Sequence, residues 1–244
     1  MPDRRRHRGP HPEDARLFSP EALGVLRRAV RDYAWLLTQG YAGPSSLKLV
    51  GDHFALEQRQ RLALMRSTCS AAQRVGRGGN RVSCDGDLRG ETVLLDGYNV
   101  LTTVEAALAG GLLLLGCDGC LRDLASVHGT WRRVDETVPA AQLIGKYLAG
   151  LGPTSCNWLL DRPVSNSGRL RMLLLEMAGA EGWPWTVEVV YSPDAVLARS
   201  EEIVATTDSA ILDRCRRWVD LSQLVIRSVV SDAWIVDLSG CDDG

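Results

Sequence analysis

Four segments of this chain run from apolar residues straight into a carboxylate: Val93-Leu94-Leu95-Asp96, Asn157-Trp158-Leu159-Leu160-Asp161, Ile203-Val204-Ala205-Thr206-Thr207-Asp208 and Ala233-Trp234-Ile235-Val236-Asp237. Each apolar run reads as a buried parallel strand. Its last side chain is delivered to the sheet edge where open α/β sheets bind ligands. Carboxylates gathered there repel one another and raise each other's pKa, so the cluster calls for a cation. Mg²⁺ or Mn²⁺ satisfies it, because hard cations prefer oxygen donors and keep bound water. A metal held this way activates water and stabilises charge on a phosphoryl oxygen, which makes phosphodiester hydrolysis the natural reaction.

Asp96 is the leading candidate for a catalytic metal ligand, and Gly97 leaves room for a substrate backbone beside it. Asp208 follows, where a strand passes into a helix start and the hydroxyls of Thr207 and Ser209 can orient the carboxylate or a water. Asp161 is third, with Arg162 placing a cation at the rim. Asp118 is a fourth expected ligand, and Asp123, Asp194 and Asp213 are outer candidates. A lone strand-end Asp is more often a helix cap or turn former, the preferred reading for Asp237. Asn99 could bind Asp96 or a phosphate, or only serve its turn. Ser165-Asn166-Ser167-Gly168 offers backbone donors to an anion with Arg169 and Arg171 behind, or is an ordinary cap. His128 reads as a helix-end cap or a substrate contact, and Trp183-Pro184-Trp185 as core packing rather than a base-stacking platform.

Strands near 92–96, 156–161, 186–191, 202–207 and 233–238 must position these groups. Helices are expected near 103–110, 119–131, 139–150, 167–181, 209–216 and 222–229. Such alternation predicts a three-layer α/β/α domain over 89–244, with a central parallel sheet of about five strands. Before it, residues 18–88 read as a small all-α module. Ser19-Pro20-Glu21 opens its first helix, and Leu23, Leu26, Val30, Tyr33 and Leu37 keep helical spacing. Its layout loosely resembles a helix-turn-helix, although a cap packed on the larger domain is the plainer reading. Arg74, Arg77 and Arg81 lie in a Gly-rich stretch that looks like a linker, and residues 1–17 look like a disordered basic arm.

Residues 1–90 hold 16 Lys and Arg against 9 Asp and Glu, while residues 91–244 hold 12 against 21. That split makes the first part a candidate partner for nucleic acid. No apolar run approaches a bilayer span, and no secretory segment follows the N-terminal arginines, so a cytoplasmic location is expected. Seven cysteines without a paired framework suggest reduced thiols.

On Leu95-Asp96-Gly97-Tyr98-Asn99-Val100, Leu160-Asp161 and Thr206-Thr207-Asp208, residues 91–238 resemble a PIN-like domain of the NYN type. The resemblance implies a ribonuclease fold in which these carboxylates hold one or two Mg²⁺ or Mn²⁺ ions and activate water against RNA. PIN-type sites also carry an acid after the first strand, for which Glu105, Asp118 and Asp123 are all open. Asp194 stands where an acidic helix is often found. The whole chain further resembles a group of two-part proteins of unknown function, which implies no activity.

A metal-dependent endoribonuclease is therefore the first expectation, with RNA, single-stranded or structured, as partner and self-association into a homodimer compatible with the sequence. The alternative is a non-catalytic RNA-binding or regulatory protein with a degenerate site. A DNA-binding nucleotide sensor is weaker, since no G-x-G-x-x-G follows a strand and no G-x-x-x-x-G-K-[ST] occurs.

Overall fold

A computed structural model describes residues 7–83, 88–125 and 131–241, so His128 lies outside the described residues. The chain opens with a helical module: α1 (Asp14–Leu17), α2 (Pro20–Thr38), α3 (Gly43–His53), α4 (Gln58–Ser67) and α5 (Ala71–Asn80). The α2 start follows the sequence signal, with Pro20 in the first turn and the Ser19 hydroxyl accepting from the Ala22 N–H at 3.3 Å. Leu26, Ala29, Val30 and Tyr33 bury one face.

Two expectations fail here. The presumed arm is docked from residue 7 onward: Asp14 is buried and paired with Arg59, Arg8 pairs with Glu105, and Leu17 and Phe18 enter the core. The presumed linker is α5. Its glycines each cost helix stability, of order 1 kcal/mol. A Ser70–Gln73 capping box and the burial of Arg77 oppose that cost.

The α/β part continues with β1 (Thr92–Asp96), α6 (Gly97–Leu108), β2 (Leu113–Leu115), β3 (Leu121–Asp123), α7 (Thr137–Leu151), β4 (Ser155–Asp161) and α8 (Ser167–Glu181). It ends with β5 (Trp185–Val190), α9 (Pro193–Leu197), β6 (Ile203–Ala205), α10 (Ser209–Leu212), β7 (Trp218–Val219), α11 (Leu221–Val229) and β8 (Ile235–Asp237). The central sheet is wholly parallel, five strands in the order β5-β4-β1-β6-β7. On one face Val93, Leu95, Trp158 and Leu160 pack with α6, α7, α8 and α11. On the other, Leu159, Val204 and Trp218 meet α9 and α10. Trp185 belongs to the core, 5.0 Å from Trp158.

A second sheet, in the order β3-β2-β8, departs from the sequence reading. The helix expected over 119–131 is replaced over 121–123 by a strand, because a turn with Gly119 at φ +72° folds β3 back on β2. The last strand joins this small sheet, and β7 takes the edge position in the central one. Leu112, Leu114, Val236 and Leu238 share a core with Leu26, Val30 and Leu64, so the helical module packs on this sheet. Cys117 and Cys241 are joined as a disulfide, against the expectation of reduced thiols; Cys69, Cys120, Cys156 and Cys215 are free and buried.

A buried ion network ties the parts together and removes Asp118 from the metal-ligand set. Its carboxylate receives Arg77 at 2.6 Å and Arg122 at 2.6 and 2.9 Å, while Arg77 also reaches Asp213 at 2.7 Å. Burial alone would raise the Asp118 carboxyl; the two guanidinium groups overcome that and hold it well below the usual carboxylate range. Asp118→Ala leaves two cations buried without their partner, and urea unfolding should show a loss of about 3–5 kcal/mol. Because the folded carboxyl is depressed, the gap to wild type is full above its ordinary pKa of 3.8 and closes in acid. A loss below about 1 kcal/mol, the range of exposed pairs, would contradict a structural role for the network.

Candidate active site

The carboxyl ends of β1, β4, β5 and β6 form one edge of the central sheet, and α9 packs across it against β1 and β4. Asp96 ends β1 and stands at the N-cap of α6. The close turn that follows needs glycine, since a Cβ at Gly97 would lie 2.5 Å from Leu160 Cδ2 and 2.9 Å from the Leu159 carbonyl oxygen. The space beside Asp96 is thus filled by β4 and not left for substrate, a correction to the sequence reading.

Thr206 is the residue that sequence reasoning missed. Its hydroxyl donates to Asp96 Oδ2 at 2.8 Å and accepts from the Asp208 N–H at 3.1 Å, joining the β1 and β6 ends. A signal existed, because Thr206 and Asp208 stand two apart in extended chain and so share a side. Asn99 bonds the Asp96 carboxylate through its backbone, while its side-chain carbonyl oxygen accepts the Thr207 N–H at 2.9 Å and the Thr207 hydroxyl at 3.1 Å. Asp208 is exposed and caps α10 through the N–H groups of Ala210 and Ile211. Ser209 turns toward α5, accepting from Arg77 at 3.4 Å, and so does not orient Asp208.

Electrostatics places the acids in one field. Burial raises the Asp96 carboxyl from 3.8 to about 7; the Thr206 hydrogen bond opposes this, and the charges of Asp208 and Asp194 add to it. Asp194, in the first turn of α9, is raised by burial and then by Asp208 and Asp161. Asp161, half-buried at the end of β4, in turn raises Tyr98, whose shift is led by burial. Asp96, Asp208, Asp161 and Asp194 therefore lie close enough at this end of the sheet to feel one another's charge.

The other acidic candidates point elsewhere. Glu105 is fully buried against Arg8 and Thr137, Asp123 accepts from Thr103 at 2.8 Å, and Asp213 binds Arg77 and Gln73.

Arg162 stacks over the exposed Tyr191 ring at 4.5 Å, a cation–aromatic pair at the rim beside Asp161. Asn166 is spent on structure: its amide donates to the Trp131 carbonyl oxygen at 3.0 Å and its backbone is left-handed at φ +71°. Among the described residues no group of three or more His, Cys, Asp or Glu could hold a metal ion. The all-oxygen set suits a hard cation bound by one or two carboxylates that keeps most of its water, the manner of Mg²⁺.

The raised Asp96 carboxyl has a consequence for stability. A folded pKa above the unfolded value means protonation favours the native state. The contribution is complete below 3.8 and lost as pH rises through about 7. Carboxyl-carbon NMR should find the Asp96 midpoint near neutrality and shifted down in Asp208→Asn; a midpoint near that of a free carboxylate would contradict the shared field.

Residues 85–224 match the family described as Domain of unknown function (DUF5616), and residues 25–78 match Protein of unknown function (DUF434). The chain is 29% identical over 187 residues to Uncharacterized protein MJ0935 of Methanocaldococcus jannaschii, covering 77% of this chain and 88% of the relative. No solved structure matches. Among the described residues no helix is long and apolar enough to cross a membrane. With more than half of its length matched by that first family, the chain belongs to Domain of unknown function (DUF5616).

Proposed function

We propose that this protein is a PIN-like, Mg²⁺- or Mn²⁺-dependent endoribonuclease. The observation that carries the reading is the placement of the strand-end acids: Asp96, buried at the end of β1 and bonded by Thr206, lies within the field of Asp208 and Asp194 at the edge where parallel sheets bind ligands. Asp96 and Asp208 would hold the ion, with Asp161 and Asp194 able to reach it through water. Bound there, a divalent cation would supply charge stabilisation at a phosphoryl oxygen and lower the pKa of water. Asp96, ionised once its proton is displaced, fixes the position of that charge. Thr206 keeps its carboxylate aimed, and the Asn99–Thr207 pair holds the β6 end beside it. Arg162, free of carboxylate partners among the described residues, offers a cation to a substrate phosphate.

A second reading, a non-catalytic RNA-binding protein, is favoured by the lack of a compact three-carboxylate group among the described residues. The two separate on turnover. Purified protein should cleave single-stranded RNA with added Mn²⁺ and stop with EDTA. Asp96→Asn should abolish cleavage, and Thr206→Val should lower it by roughly 10- to 100-fold, as loss of an orienting partner does. Undiminished cleavage by Asp96→Asn would refute the assigned chemistry, and RNA retention without any turnover would favour the second reading.

A further inference from the structure

Beside the carboxylate edge lies a cleft of about 510 Å³ lined by Trp131, Arg132, Arg133, Asn166, Arg169 and Leu173. Its three arginines come from two segments, the approach to α7 and the first turn of α8. None of the three guanidinium groups has an ion-pair or hydrogen-bond partner among the described residues. Several other arginines are committed: Arg16, Arg59, Arg61, Arg77, Arg122 and Arg217 all pair with carboxylates. Three uncompensated guanidinium groups around one concavity repel each other, and an anion relieves them. Asp135 lies beyond Arg133 in an adjoining hollow and is approached by His7 at 3.6 Å, and the neighbouring Glu136 is hydrogen-bonded to the same histidine. The buried Trp131 indole N–H, in the lining of this cleft, has no acceptor among the described residues.

The cleft is built onto the active edge. The Trp131 N–H donates to the Ser165 carbonyl oxygen at 3.1 Å, and Asn166 returns a bond to the Trp131 carbonyl oxygen. Ser167 then donates to the Asp161 carbonyl oxygen at 2.7 Å and accepts from Tyr98 at 3.0 Å, two residues past Asp96. Adjoining Asp161 in sequence, Arg162 covers the exposed Tyr191 ring. Cationic cleft, strand-end carboxylates and exposed aromatic thus lie toward one end of the sheet. Phosphates satisfy guanidinium groups and any base can stack on a ring, the combination that single-stranded nucleic acid uses.

We propose that Arg132, Arg133 and Arg169 bind the phosphodiester backbone of single-stranded RNA, with Tyr191, beside the β4 end that carries Asp161, stacking a base. The choice of RNA rests on the ribonuclease reading; the polyanion site does not. The test therefore measures binding without turnover, by fluorescence anisotropy of a labelled single-stranded RNA 12-mer with the full chain in EDTA. The triple variant Arg132→Gln/Arg133→Gln/Arg169→Gln should weaken binding by about tenfold or more at physiological salt. It should also flatten the dependence of log K on log salt by about 2, given about 0.7 per single-strand phosphate contact. Tyr191→Ala should weaken binding with the salt slope unchanged. A control triple on α2, Arg27→Gln/Arg28→Gln/Arg31→Gln, should change neither quantity. Unchanged affinity and slope in a folded cleft variant, or a loss in the α2 control instead, would overturn the proposal. So would complete displacement of the RNA by millimolar inorganic phosphate, which would mark a small-anion site. Wild-type binding in EDTA without cleavage in Mn²⁺ would defeat the nuclease reading and leave this site standing.

Discussion

The Asp96 carboxylate is withdrawn from water at the end of β1, with a neutral hydroxyl as its side-chain donor and two further carboxylates within its field. Nothing cationic compensates it among the described residues. A desolvated, uncompensated anion is one of the least favourable arrangements a fold can hold, and proteins that keep one neutralise it with a proton or a metal. The neighbouring structure fixes this arrangement instead of relieving it. Gly97 admits β4 at close range, Thr206 spans two strand ends, and Asn99 clamps Thr207. Stability is given up at one edge of the sheet, above a core in which Val93, Leu95, Trp158 and Leu160 are buried.

The helical module is bound to that edge by charge as well as by apolar contact. Arg122 donates to the Thr207 carbonyl oxygen at 2.7 Å while its other nitrogens hold Asp118, which also takes Arg77 from α5. The end of β6 is thus braced from behind by a buried pair that reaches into the N-terminal module. Such pairs contribute little net stability, yet breaking one leaves a charge stranded, so their value lies in fixing geometry. The excess positive charge of residues 1–90 is accordingly spent in part on the fold: Arg16, Arg59, Arg61 and Arg77 face protein carboxylates.

Much of the architecture was legible in the chain. Apolar runs ending in Asp marked β1, β4 and β6, and caps such as Ser19 and Gly182 marked helix ends, because these signals are local. The errors share a cause, which is tertiary contact overriding local preference. Gly76, Gly78 and Gly79 suggested a linker, but capping and Arg77 burial made a helix. The strand Leu121–Asp123 is three residues long, too short to show a period, and exists because β2 lies beside it. At the candidate site, residue type singled out Asp96, Asp161 and Asp208, which the fold brings to one edge of the sheet. It could not tell that Asp118 is consumed by two arginines or that Arg132, Arg133 and Arg169 share a cleft, since both depend on partners far apart in sequence.

On the proposed function, the strand-end carboxylates serve a divalent cation. The most direct test is a crystal structure with Mn²⁺, located by its anomalous scattering. The account predicts a peak about 2.2 Å from a carboxylate oxygen of Asp96 or Asp208, absent from crystals of Asp96→Asn. A Mn²⁺ ion bound only elsewhere, or an empty crevice at saturating Mn²⁺, would contradict it.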